Sequence, residues 1–279
     1  MPSTVKLSSK ATHEFWEIPV LFEDPTLLAI DKPASLLSTP DATQPDRPNL
    51  MRLLYDAIKR GTPWAAERAL TYLGNPHRLD SEMTGVFLLA KNKAAMVALN
   101  NQFGADLPTR IFLAIVPGSP AEDAFEVTAP MLPHPRVPGL MCVEGRAGRK
   151  AVTRFAVRER FDGYTLLACQ PLTNRLHQVR VHLRHYGMTL AGDQAYGGRP
   201  LLLSDLKPDY RLKPDKVERP LLGSPSLHAE ELGFKHPETE IEVVVRSPWP
   251  HELTVAVKYL RRYRGTAWTP PTGAPPTTD

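Results

Sequence analysis

The run Val86-Phe87-Leu88-Leu89-Ala90 contains no polar side chain. A stretch that short and that apolar reads as a strand covered on both faces, because a surface strand would alternate. Residues 111–116 give a second such run, and 241–245 a late strand. Between them, Leu50, Leu53, Leu54, Ala57 and Ile58 fall at helical spacing behind Asn49, a cap residue. Residues 93–103 repeat that spacing through Met96, Leu99 and Phe103, and 255–263 predict a terminal helix. Residues 20–22 and 27–30 bracket Glu23-Asp24-Pro25, and 152–157 and 164–169 bracket Asp162-Gly163, so both pairs read as strands around turns. Helices and strands mix without a strict βαβ repeat, which predicts an α+β sheet domain rather than a doubly wound one.

Composition narrows the field. The chain has 279 residues, 42% hydrophobic and 23% charged, enough for a sizeable core. No apolar run approaches the roughly 18 residues that a membrane span needs, and the first residues lack a signal-peptide layout. Cys142 and Cys169 stand alone without CxxC spacing, so neither a disulfide framework nor a zinc knuckle is predicted. A cytoplasmic protein with no membrane partner is the expectation. Residues 1–12 are polar and read as loose, and 269–279, rich in proline and threonine, read as disordered.

Chemistry concentrates in two places. The first is His77-Arg78-Leu79-Asp80, followed by Ser81-Glu82-Met83-Thr84-Gly85 at the mouth of the 86–90 strand. An aspartate beside an arginine on rigid scaffold has its charged form stabilised and its reach fixed. The second is 172–187, where Leu176, Val179, Leu183 and Tyr186 predict one helical face, with His177, Arg180 and Arg184 opposite. Thr173-Asn174 reads as the helix start and Gly187 as its stop. That places Arg175 in the first turn, where it and the helix dipole would attract an anion. His177, His182 and His185 do not share one face and no carboxylate completes a set, so no metal site is predicted. Asp193, among glycines, reads as a turn residue. The net charge is +4, and its cations cluster at Arg146, Arg149, Lys150 and Arg154, at Arg175, Arg180 and Arg184, and at Lys258, Arg261, Arg262 and Arg264, as a phosphate-contacting surface would require.

These blocks resemble the RluA family of pseudouridine synthases. The segment His77-Arg78-Leu79-Asp80-Ser81-Glu82-Met83-Thr84-Gly85 is similar to that family's HRLDxxTSG block, and Asn174-Arg175-Leu176-His177-Gln178-Val179-Arg180-Val181-His182-Leu183 to its GRxHQIRxHL block. Asp31-Lys32-Pro33, Gly192-Asp193, Tyr196-Gly197, Leu227-His228-Ala229 and His236-Pro237 continue the likeness in order. The resemblance implies the pseudouridine synthase fold, a mixed and largely antiparallel central sheet flanked by helices and loops. It implies a catalytic domain over 20–264, an extension over 1–19 and a tail over 265–279. It implies an isomerase acting on uridines of rRNA or tRNA, without cofactor and as a monomer.

Within that resemblance Asp80 is the expected catalytic nucleophile, with Arg175 as the cation paired to it. Arg78 and His77 are expected to fill the space of a flipped base or to hold phosphate, and Arg180 to help bind RNA. Arg110-Ile111-Phe112 stands where the family has Lys-x-Tyr, so Phe112 keeps a ring to stack on the uracil but lacks the hydroxyl. That departure leaves open an RNA-binding member with impaired catalysis. A hydrolase using Asp80 with His77 is the alternative from another class, and lacks an evident metal cluster or second carboxylate. The segment before residue 20 is too short for an added RNA-binding domain, so target choice is expected to fall to 146–154 and 258–264.

Overall fold

The computed structural model describes residues 4–9, 11–41, 45–145, 147–212 and 215–265. The predicted disordered tail and Arg146 lie outside the described residues. The strands are β1 (Thr4–Ser8), β2 (Phe15–Glu23), β3 (Leu27–Lys32), β4 (Thr84–Ala90), β5 (Thr109–Pro117), β6 (Ala124–Thr128), β7 (Met131–Pro133), β8 (Met141–Val143), β9 (Val152–Phe161), β10 (Tyr164–Pro171), β11 (Leu227–Lys235) and β12 (Glu242–Arg246). The helices are α1 (Leu50–Lys59), α2 (Pro63–Ala66), α3 (Lys93–Gly104), α4 (Gln178–His185), α5 (Leu203–Leu206) and α6 (His251–Arg264).

Ten strands form one sheet in the order β1-β2-β3-β4-β11-β5-β10-β9-β6, with β12 also on β11. All described pairings in it are antiparallel except β4 with β11, where His228 lies opposite Thr84 and Ala229 opposite Gly85. The fold is α+β with a mixed, largely antiparallel sheet. The apolar runs mark its interior: β4 and β5 each have a neighbour on both edges and helices over both faces, so every side chain from Gly85 to Ala90 is buried. Strand β7 and β8 form a separate small hairpin.

Alternation along β5 separates two faces. Phe112, Ala114 and Val116 join a core with Leu50, Leu54, Val179 and Leu183, which puts α1 and α4 on their side. Leu113 and Ile115 pack with Leu253, Val257 and Leu260, which puts α6 on the other. Helix α3 covers that same far side through Leu99 and Phe103, packed with Leu27 and Leu88. Asn49 caps α1 as predicted, its Oδ1 accepting from the Arg52 N–H at 2.9 Å, an arrangement worth about 1 kcal/mol.

Two expectations are corrected here. Residues 1–12 are not loose throughout, because Thr4–Ser8 form β1, paired antiparallel with β2 and burying Val5 and Leu7 completely. The period-two pattern that specifies this strand is only five residues long, embedded in polar sequence. The helix of the second motif begins at Gln178, not at Thr173. His177 precedes it in the left-handed region (φ 55°), which breaks the helical path that the apolar spacing of 172–187 suggested. Arg175 therefore sits in a loop, and the helix start does not place a dipole behind it.

Candidate active site

The loop before β4 is anchored by its own buried half. Leu79 and Met83 are buried, and Ser38 clamps Leu79 from both sides, its Oγ donating to the Leu79 carbonyl at 2.6 Å and accepting from the Leu79 N–H at 3.1 Å. Lys32, fully buried, donates from Nζ to the carbonyls of Pro33, Ser81 and Met83 at 2.9, 3.1 and 2.9 Å. Backbone pinned on either side of Asp80 turns that carboxylate and Arg78 outward into one cleft. Asp80, Arg78, Phe112, Arg175, His177 and Arg180 line it together.

The positive partner of Asp80 is Arg180. Its Nη1 lies 3.5 Å from Asp80 Oδ2, while its Nε and Nη2 grip Asp193 at 2.8 and 2.7 Å. Asp193 is fully buried, so this two-point pair fixes the guanidinium plane. Burial opposes the charge on Arg180, but the Asp193 carboxylate outweighs it and raises the pKa further above the usual arginine value. His177 approaches from the same side, with Nε2 at 3.7 Å from Asp80 Oδ2. Its Nδ1 is 2.7 Å from the hydroxyl of Tyr196, a buried residue whose ring also lies 4.9 Å beneath the Arg180 guanidinium. Burial lowers the His177 pKa, against the opposite pull of Asp80. Gln178 ties the preceding loop down, accepting from Thr173 Oγ1 and the Arg175 N–H and donating to Val152 and Thr153.

The two motifs predicted from sequence therefore meet, but with different partners. Arg175 does not pair with Asp80. Its Nη1 donates to the adjacent Asn174 carbonyl at 3.0 Å, and its Nε is buried with no hydrogen-bond partner among the described residues. Arg180, expected in a phosphate-contacting cluster on the helix face opposite the apolar stripe, is buried instead. His77 is not in the cleft chemistry at all. Its ring stacks on Phe103 at 5.2 Å and Nε2 accepts from the Leu88 N–H at 2.9 Å, so burial lowers its pKa to about 3 and keeps it neutral. It cannot form an acid–base pair with Asp80, which removes the hydrolase alternative. Arg78 is exposed and makes no ion pair among the described residues. Phe112 is buried on the cleft-facing side of β5.

Sequence reasoning names His177 and Tyr196 within the family blocks but gives neither a role at Asp80, and reads Asp193 only as a turn residue. Asp193 does open a short turn (Gln194–Tyr196), but its role is the buried grip on Arg180. Nothing in the spacing from 180 to 193 signals that contact, since it depends on the chain folding back. Among the described residues no group of three or more His, Cys, Asp or Glu side chains is placed to hold a metal ion.

Comparison with known proteins bears on the fold and the family. The sequence profile of a family described as RNA pseudouridylate synthase matches residues 26–185. The chain is 36% identical over 245 residues to a ribosomal large subunit pseudouridine synthase D of Xanthomonas campestris, covering 87% of this chain and 69% of the relative. It is 34% identical over 252 residues to the protein of the same name from Pseudomonas aeruginosa, covering 89% and 73%. Among solved structures, human RNA pseudouridylate synthase domain containing 4 superposes with a TM-score of 0.64 at 24% identity, over 87% of this chain and 92% of that one.

Proposed function

This chain belongs to the RNA pseudouridylate synthase family and is an RNA-modifying isomerase of the RluA type; on that premise we propose that Asp80 is its catalytic residue and that large-subunit ribosomal RNA is its substrate. The observation that carries the reading is the convergence of Arg180 and His177 on the cleft-lining carboxylate of Asp80. The choice of RNA rests on the names of the relatives, ribosomal large subunit synthases.

The reaction breaks the N1–C1′ bond of a uridine, turns the base and joins C5 to C1′. The C5 proton is lost and N1 gains one, so reactant and product hold the same atoms and electrons. No electron or group is exchanged with a cofactor, and none is required by the proposal. Asp80 supplies the carboxylate that attacks or stabilises the sugar or base once the glycosidic bond weakens. Arg180, locked by Asp193, holds that carboxylate in place. Because the base must leave the RNA stack first, the exposed guanidinium of Arg78 is placed to enter the vacated space. Phe112 offers its ring face to the uracil. Arg175, with no acidic partner among the described residues, is available to a phosphate.

The test is a map of pseudouridines in total RNA, read as reverse-transcription stops after carbodiimide treatment, in cells with the wild-type gene or with Asp80→Asn. Loss of the nucleophile is expected to reduce turnover by about a thousandfold or more, so at least one stop in large-subunit RNA should vanish. Persistence of every stop would overturn the assignment of Asp80. Cells lacking the gene separate the remaining case: stops unchanged there as well, with the protein still binding RNA, would show a member that binds RNA without modifying it.

A further inference from the structure

The contacts around Asp80 are one-sided. The approaches of Arg180 Nη1, at 3.5 Å, and His177 Nε2, at 3.7 Å, are both to Oδ2. Both donors, moreover, rest on a single residue. The ring of Tyr196 lies beneath the guanidinium of Arg180, and its hydroxyl meets Nδ1 of His177.

That hydroxyl has a second contact, which decides the protonation of the histidine. The backbone N–H of Met141, on β8, donates to the Tyr196 oxygen at 2.9 Å. The phenol's own proton needs an acceptor, and His177 Nδ1, 2.7 Å away, takes it as the hydroxyl donates. Burial raises the Tyr196 pKa, so the phenol keeps that proton near neutral pH. Burial also lowers the His177 pKa, so the imidazole is neutral there. A neutral ring that accepts at Nδ1 must carry its proton on Nε2, and Nε2 faces Asp80. The charged groups around the ring are Asp80, Arg180, Asp193 and Glu82, and the Asp80 carboxylate comes to 3.7 Å from Nε2.

We infer that Tyr196 is a positioning residue that fixes His177 as the Nε2–H tautomer, so that His177 and Arg180 together hold Oδ2 of Asp80 and present Oδ1 to the substrate. The inference rests on Asp80 being the nucleophile. Backbone strain at His177 is consistent with the same purpose, since its left-handed φ of 55° sets the ring between Tyr196 and Asp80 at the entrance of α4. The distance of 3.7 Å closes to a hydrogen bond with a shift of about 1 Å, as expected when a cleft tightens on its substrate.

Tyr196→Phe removes the hydroxyl and keeps the ring under Arg180. Histidine labelled with 15N in the wild-type protein should show His177 with an unprotonated Nδ1 and a protonated Nε2 near neutral pH, and the variant should lose that preference. In single-turnover assays on a ribosomal RNA fragment, kcat of Tyr196→Phe should fall about tenfold to a hundredfold with KM little changed, as for a misplaced reactive group. His177→Gln, which can still present an N–H to Asp80, should retain more activity than His177→Ala. A wild-type His177 protonated on Nδ1, or a Tyr196→Phe protein with unchanged kcat, would overturn the inference. Asp80→Asn, run alongside, separates the cases: full activity there defeats the nucleophile assignment itself, whereas an inactive Asp80→Asn with the wrong tautomer defeats only the role of Tyr196.

Discussion

Lys32 carries an amine into the interior where, among the described residues, it meets the carbonyls of Pro33, Ser81 and Met83 and no carboxylate. Burial lowers its pKa to about 7, with Glu82 and Asp80 acting more weakly the other way. The folded protein thus binds this proton less readily than the unfolded chain, whose lysine titrates near 10.5. Between about pH 7 and 10.5 the unfolded state holds the extra proton, so stability from this site rises with pH, by at most about 1.4 kcal/mol per unit. Denaturant melts of wild type and Lys32→Met at pH 6.5, 7.5 and 9 should show the gap widening in favour of wild type as pH rises. A gap independent of pH would contradict the assignment. The residue also shows what one sequence can disclose. Asp80 and Arg78 are legible because they precede a strand whose apolar run declares it, and Phe112 because the family resemblance points to it. The partner of Asp80 was not, because choosing Arg180 over Arg175 depends on a five-residue difference in where a helix begins and on a buried carboxylate 13 residues later.

At the scale of elements, the seam between β4 and β11 controls the site. Gly85 sits there with φ +114°, and a Cβ on it would lie 2.2 Å from the Ala229 carbonyl oxygen. That approach lets two parallel strands meet directly beneath the Asp80 loop. Gly85→Ala is strained both in backbone and in space, and is expected to lose at least about 2 kcal/mol in denaturant melts, with activity falling alongside. An unaltered melt would show that the seam tolerates widening. Strands β4 and β5 are readable as short apolar runs, α1 by period and cap and α3 by period, whereas β11 enters the sequence reading only as a block of the family resemblance and not as a strand. Helix α4 was overextended because residues 172–177 keep apolar spacing that a helix and an irregular loop share. Its length came out at eight residues once His177 turned the chain into the left-handed region.

Across the whole molecule the two faces of the sheet divide the basic clusters. The small hairpin β7–β8 packs over α4 and Tyr196 through Met131 and Val181, so the adjacent exposed Arg149 and Lys150 share the side of the cleft. Helix α6 lies behind the sheet, where Arg261 binds Glu159 at 2.7 Å and Arg264 binds Asp162 at 2.9 Å. The expectation that 258–264 helps select RNA is therefore revised: its cations face away from Asp80 and two of them are already paired. Arg149→Glu with Lys150→Glu should weaken RNA binding and lower the slope of log affinity against log salt by about one to two, whereas Lys258→Glu with Arg262→Glu should leave both nearly unchanged. Equal effects from the two pairs would refute the division. The sheet has a further property, one of timing. Strand β11 is synthesised after β4 and β5 and yet lies between them, with Ala229 opposite Gly85 on one side and Phe112 on the other. Until residue 235 has left the ribosome, the two motifs that meet at Asp80 hang on separate pieces of a sheet with an empty middle. The central position of β11 thus ties completion of the cleft to a strand that comes late in the chain.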